Sequence, residues 1–276
     1  MIVRKLIALA TLVVMCLLLL ATPVSQVSSQ QNVVTFSPQP LPLSDGTLRR
    51  IRAPILMYHR VSQLPPDADV YRVDLTVVPE MFRAHMQYLR DQGYHTISLY
   101  ELNDALLRGT PLPSQPVVLT FDDGYADHYV TVFPVLQELG FTGTFFIITG
   151  RADANDPEYM NWTQIREMAD AGMSMEPHTK SHLNLTGRDS DFLVYEILGS
   201  FESIATNTGH VPRMFAYPGG DYDDSTLSLL KSLLCWRAVT TERGALHTTD
   251  NYLEMPRVRV SGDTGVPGLA YLLQTS

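Results

Sequence analysis

From Pro54 onward the chain alternates short apolar, β-branched runs with stretches of helical periodicity, and that alternation leaves few folds open. Residues 55–58, 117–121, 143–148, 173–175, 213–217, 236–240 and 258–260 are too short for helices and read as buried strands, with a weaker candidate at 95–98. Between them Phe82, Met86 and Leu89 recur at helical spacing, as do Ile165, Met168 and Ala169, and Leu193, Ile197, Phe201 and Ile204. Pro79 and Asn161 suit helix starts, and Gly93, Gly140 and Gly172 suit helix ends. Pro134 implies a kink or a late start in the helical pattern of 127–139. Strand–helix alternation of this kind predicts an α/β fold with parallel strands, in a barrel or an open doubly wound sheet.

The polar residues fall in a pattern the core does not require. His59, the pair Asp122 and Asp123, His178 and the Pro218 turn each lie just past the end of a predicted strand. In a β/α barrel those ends share one rim, where active sites are built. Asp122-Asp123-Gly124 alone is compatible with a turn and a helix cap, both of which favour Asp. His178 and His182 alter that reading. If the segment forms a helical turn, their i, i+4 spacing brings two imidazoles to one side of it, about 5–6 Å apart at Cβ. A carboxylate with two histidines is the ligand set of a catalytic zinc site. Two adjacent aspartates leave one free to stand beside the metal as a base. A glycosidase would instead need its carboxylates about 5 Å or more apart, and it has no use for the histidines.

The formal charge of −9 and the absence of a basic patch exclude nucleic acid as a partner. There is no G-x-G-x-x-G, so nucleotide binding has no support. Of the two cysteines, Cys16 lies in the N-terminal apolar run and Cys235 follows Leu233-Leu234, so neither a disulfide framework nor a cysteine zinc site is available. Arg4 and Lys5 precede an uncharged apolar run at 6–21, which reads as a secretory signal or an uncleaved membrane anchor within residues 1–24. Residues 25–53, rich in Ser, Gln and Pro, are expected to form a tether without packed structure, and residues 54–276 the domain. The domain is therefore expected to be exported, with the membrane involved only through that anchor. The sequence carries no signal of oligomeric state.

Over residues 54–276 the chain resembles the polysaccharide deacetylase family, the NodB-homology domain. Thr120-Phe121-Asp122-Asp123-Gly124 resembles its first motif, His178-Thr179-Lys180-Ser181-His182 its second, and Phe215-Ala216-Tyr217-Pro218-Gly219-Gly220 its third. The resemblance implies a distorted (β/α) barrel of about seven parallel strands. It also implies metal-dependent removal of acetyl groups from an acetylated glycan, with one divalent ion, zinc by preference. Asp122 would be the general base, Asp123, His178 and His182 the metal ligands, and Tyr217, Pro218 and Gly219 contacts to substrate. Pro54-Ile55-Leu56-Met57-Tyr58-His59 looks like the opening of the poly-N-acetylglucosamine deacetylase branch, which implies His59 as general acid, on the face of the substrate away from Asp122. Many family members hold the base with an arginine where this chain has Ala216. Arg257 and Arg259, on a late strand, are candidates to take over that contact, with a plain surface or structural ion pair as the favoured alternative. A glycan-binding domain without catalysis, and a small-molecule amidase or deformylase, are the alternatives.

Overall fold

The computed structural model describes residues 36–38 and 40–276. Its framework is a nearly closed barrel of seven parallel strands with helices around it. The strands are β2 (Ile55–Tyr58), β4 (Pro116–Phe121), β5 (Thr144–Ile147), β6 (Ser174–Pro177), β7 (Met214–Ala216), β8 (Arg237–Arg243) and β10 (Met255–Arg259). They run in the order β6-β5-β4-β2-β10-β8-β7, and the short β3 (His95–Thr96) pairs with β4 off this path. Period-two alternation places Leu56, Tyr58, Leu119 and Phe121 in one buried cluster with Phe82, Met86 and Leu89 of the helix Pro79–Asp91. The alternate residues Ile55, Val118, Phe146, Val239 and Met255 form a second cluster. The expected strands are all found, to within a few residues at their ends.

Two features of this framework place the site. First, Tyr58 pairs with Phe121, and Ile147 with Pro177, so neighbouring strands end level and deliver their next residues to one rim. Secondly, β6 and β7, the two edges of the sheet, are joined by side chains rather than by a ladder. The buried Glu176 on β6 accepts from the backbone N–H groups of Arg213 and Met214 (2.9 and 2.8 Å). Two residues on, His178 reaches the Ala216 carbonyl across the same seam. An unpaired edge would otherwise leave buried donors and acceptors orphaned.

The helices start and stop as their sequences dictate. Asn161 caps the helix Trp162–Asp170 with a reciprocal bond to Gln164. Pro134 falls early in the helix Phe133–Leu139, which follows directly on a π-helical turn at His128–Val132, so helical structure spans the expected stretch and is distorted just before the proline instead of starting late.

The N-terminal boundary needs correction. Residues 25–53 were expected to lack packed structure, yet β1 (Arg50–Arg52) pairs antiparallel with β9 (Leu246–Thr248), and Phe36 packs on Phe201 with ring centroids 5.1 Å apart. Ordered backbone therefore precedes Pro54. Arg-Ile-Arg shows no local strand pattern, because its partner comes from the far end of the chain. The predicted signal or anchor at 1–24 lies outside the described residues.

Candidate metal centre and active site

The first motif leaves β4 in a conformation few residues tolerate. Asp122 continues the ladder through its N–H to the Tyr58 carbonyl (2.9 Å), and Asp123 then turns left-handed at φ 76°, followed by Gly124 at 78°. Asp is among the side chains that accept this region, which fits its presence here. The turn faces the two carboxylates in different directions. Asp122 meets an arginine, and Asp123 meets two histidines.

His178 and His182 hold their rings 4.8 Å apart. The His178 Nδ1–H donates to the Ala216 carbonyl (2.7 Å), so Nε2 carries the lone pair and lies 3.6 Å from Asp123 Oδ1. His182 Nε2 lies 3.3 Å from the same oxygen. Burial pushes the His178 pKa down to about 4, so the ring is neutral at physiological pH, as a ligand must be. Asp123 Oδ1 is buried and has no hydrogen-bond partner. A buried carboxylate oxygen left unpaired between two imidazole rings is a costly arrangement that a cation would satisfy. The three donor atoms lie within 4.8 Å of one another, so these residues fit a divalent ion. His182 is partly exposed, at 39% of its side chain, which leaves the approach from solvent open.

Asp122 is buried against Arg257. The guanidinium of this β10 residue forms a two-pronged pair with the carboxylate, Nη1 to Oδ1 and Nη2 to Oδ2, both at 2.7 Å. Its remaining donors reach the Thr240 carbonyl (2.9 Å) and the Thr120 hydroxyl (3.1 Å), so it is locked in place. Burial works to raise the Asp122 pKa, but Arg257, helped by His178 and His59, outweighs it and holds the carboxyl well below the usual range. Asp122 is therefore ionised in the resting site at neutral pH. Of the two candidate arginines, Arg259 is excluded, because it pairs with Asp74 at the cavity edge.

His59 leaves β2 beside Asp122, its Nε2 4.0 Å from Asp122 Oδ2. The two side chains are thus neighbours on the rim. Level pairing of β2 and β4 puts the two side chains next to each other. Burial lowers the His59 pKa, against the opposing pull of Asp122 and Asp123. His59, both aspartates, both histidines, Tyr125, Tyr159 and Arg151 line one cavity of about 460 Å³. Tyr217 and Gly219 also line it, but the Tyr217 side chain is buried and its hydroxyl donates to the Leu253 carbonyl (2.8 Å). Pro218 is buried behind them. A second concavity, of about 510 Å³, opens at the other end of the barrel around Glu176 and Arg213, away from this chemistry.

Comparison with known proteins agrees with this geometry. The family model for polysaccharide deacetylase matches residues 109–234. The provisionally named polysaccharide deacetylase YxkH of Bacillus subtilis is 32% identical over 225 residues, which is 82% of this chain and 76% of that protein. The chain belongs to the polysaccharide deacetylase family. The poly-β-1,6-N-acetyl-D-glucosamine N-deacetylase of Escherichia coli is 26% identical over 80% of this chain but only 38% of its own length. Among solved structures, the Streptococcus pyogenes deacetylase PplD in complex with acetate superposes with a TM-score of 0.75 at 28% identity, covering 82% of this chain and all of that one. IcaB from Ammonifex degensii gives a TM-score of 0.69 at 27% identity, over 81% and 97%.

Within this polysaccharide deacetylase the aromatic wall of the cavity was not foreseen. Arg60 lies 3.6 Å over the Tyr125 ring, which packs on Tyr159. The only available sequence cue was Tyr125, next to the Asp-Asp-Gly turn.

Proposed function

We propose that this chain is an exported, metal-dependent hydrolase that removes acetyl groups, N-acetyl in particular, from a cell-surface or extracellular polysaccharide. The observation that carries this reading is the division of the aspartate pair. Asp123 presents an unpartnered buried oxygen between two imidazoles, while Asp122, held by Arg257, stays outside that triad. Asp123, His178 and His182 would hold the ion, with zinc favoured by the mixed nitrogen and oxygen donors. Such an ion supplies Lewis acidity toward an acyl oxygen and toward water.

Asp122 takes a proton from the attacking water. Its low pKa makes it a weak base but a permanently available one. His59 delivers a proton to the nitrogen as the carbon–nitrogen bond breaks. Because burial keeps His59 neutral, the proton it gives is the one Asp122 has accepted, passed across the 4.0 Å gap directly or through one water. Asp122 and His59 thus act as one proton-handling pair. The basic pair Arg4 and Lys5, followed by the apolar run at 6–21, supports export.

The test is acetate release from poly-N-acetylglucosamine, acetylated chitin oligomers, peptidoglycan and xylan, with and without a chelator. Release that needs a divalent ion is expected on at least one N-acetylated polymer. Undiminished release from metal-free protein refutes the mechanism, and no release on any polymer favours a binding domain without catalysis.

A further inference from the structure

The loop that carries both histidines is strained, and one buried carboxylate outside the site holds it. Between His178 and His182 the backbone turns left-handed twice, at Thr179 (φ 63°) and at His182 itself (φ 57°). Neither residue is a glycine, and a β-branched threonine in this region is an outlier that its surroundings must enforce. Inside the loop, the Thr179 hydroxyl accepts from the His182 N–H (2.9 Å). That leaves the N–H groups of Lys180 and Ser181, at the tip, to be satisfied from elsewhere.

Both go to Glu196. Its Oε2 accepts from Ser181 N–H (2.8 Å) and Lys180 N–H (3.1 Å), and its own carbonyl also accepts from Lys180 N–H (3.1 Å). Glu196 is buried, and it sits in a π-helical turn, Val194–Leu198, between the helical segments Ser190–Leu193 and Gly199–Thr208. Such turns are frequent at functional sites. The same helix face continues along the loop. A Cβ on Gly199 would meet the Lys180 side chain at 3.6 Å, and Ser203 accepts from Lys180 Nζ (3.0 Å). From the opposite side Gly150 donates to the Lys180 carbonyl (2.8 Å), and a Cβ there would come within 2.4 Å of that oxygen. The loop tip is gripped between two helices, and Glu196 supplies the only side-chain acceptor for its two N–H groups among the described residues.

We propose that Glu196 is a positioning residue for the metal centre. By accepting two consecutive N–H groups at one oxygen it holds the strained loop in the one conformation that brings His182 Nε2 to His178 and Asp123. It does not touch the ion, and it acts through His182. The proposal rests on the reading of Asp123, His178 and His182 as metal ligands.

The experiment measures Co²⁺ and Zn²⁺ dissociation constants by chelator competition, together with the visible Co²⁺ absorption band, which reports coordination geometry. Melting of the chelator-treated proteins provides a fold control that a general loss of structure would move. If the wild-type protein binds neither ion, the underlying metal reading fails. If it binds, Glu196→Ala and Glu196→Asp are expected to weaken affinity 10–100-fold and to shift the Co²⁺ band while the metal-free protein stays folded. The aspartate variant keeps the charge and is the milder change for folding, but it is one methylene short of the loop. Glu196→Gln is expected to bind nearly as well as wild type, because a single amide oxygen can accept both bonds. Wild-type affinity in the folded Asp variant overturns the proposal. So does a Gln variant as weak as Ala.

Discussion

Replacing Arg257 by Met tests the arrangement around the base most severely. In the folded protein the guanidinium makes four hydrogen bonds, two of them to Asp122, and both side chains are buried. Methionine keeps most of the volume and removes the charge, so Asp122 is left as a buried carboxylate with only the weaker pull of His178 and His59 opposing burial. Breaking one side of a buried ion pair typically costs about 3–5 kcal/mol. A domain of this kind has only about 5–15 kcal/mol in total, so the variant should be folded but marginal. The Asp122 pKa should rise from well below the usual range to above it, and the acidic limb of the pH–rate profile should move up with it. The assay is urea unfolding at pH 7 of four proteins: wild type, Arg257→Met, Asp122→Asn and the double variant. In the Asn background the arginine has no charge to neutralise. The second substitution should therefore cost about 1–3 kcal/mol less than it does alone, a coupling characteristic of contacting residues. A loss of the same size in both backgrounds would show that Arg257 contributes by packing, and would refute its role in holding the base.

Three further outcomes are expected. Asp122→Asn should retain the metal and lose about 10²–10⁴-fold in turnover, whereas Asp123→Asn should lose the metal itself; equal metal loss in both refutes the division of labour. His59→Gln should slow amide hydrolysis far more than hydrolysis of an activated ester, whose leaving group needs no proton, and equal losses would make His59 a structural residue. Stability of the metal-free protein should fall between pH 7 and 4.5. Burial pushes His85 and His247 down to about 4 from an unfolded value near 6.5, so the unfolded chain binds protons first as the pH drops. Glu176, raised by burial to about 6, works the other way and gains stability below that pH. The net loss should be roughly 3 kcal/mol or more, since two histidines outweigh one carboxyl at 1.36 kcal/mol per unit; a flat urea-denaturation series across this range contradicts it.

The sequence by itself determined the strands, the helices and which residues gather at the candidate centre. Those features are local. Apolar runs, helical periodicity and residues just past strand ends depend on neighbours a few positions away, so Asp122, Asp123, His59 and His178 could be placed on one rim from their order along the chain. Tertiary structure decided everything that depended on which strands lie side by side. Arg257 and Arg259 are two residues apart on one strand, and only the neighbours of β10 show that Arg257 meets Asp122 while Arg259 faces Asp74. Level pairing of β2 with β4 put His59 next to Asp122. The β1–β9 ribbon and the Glu196 clamp join segments whose own patterns give no sign of each other. Hydrogen-bond partners distant in sequence leave no local periodicity, because their spacing is set by the closure of the barrel.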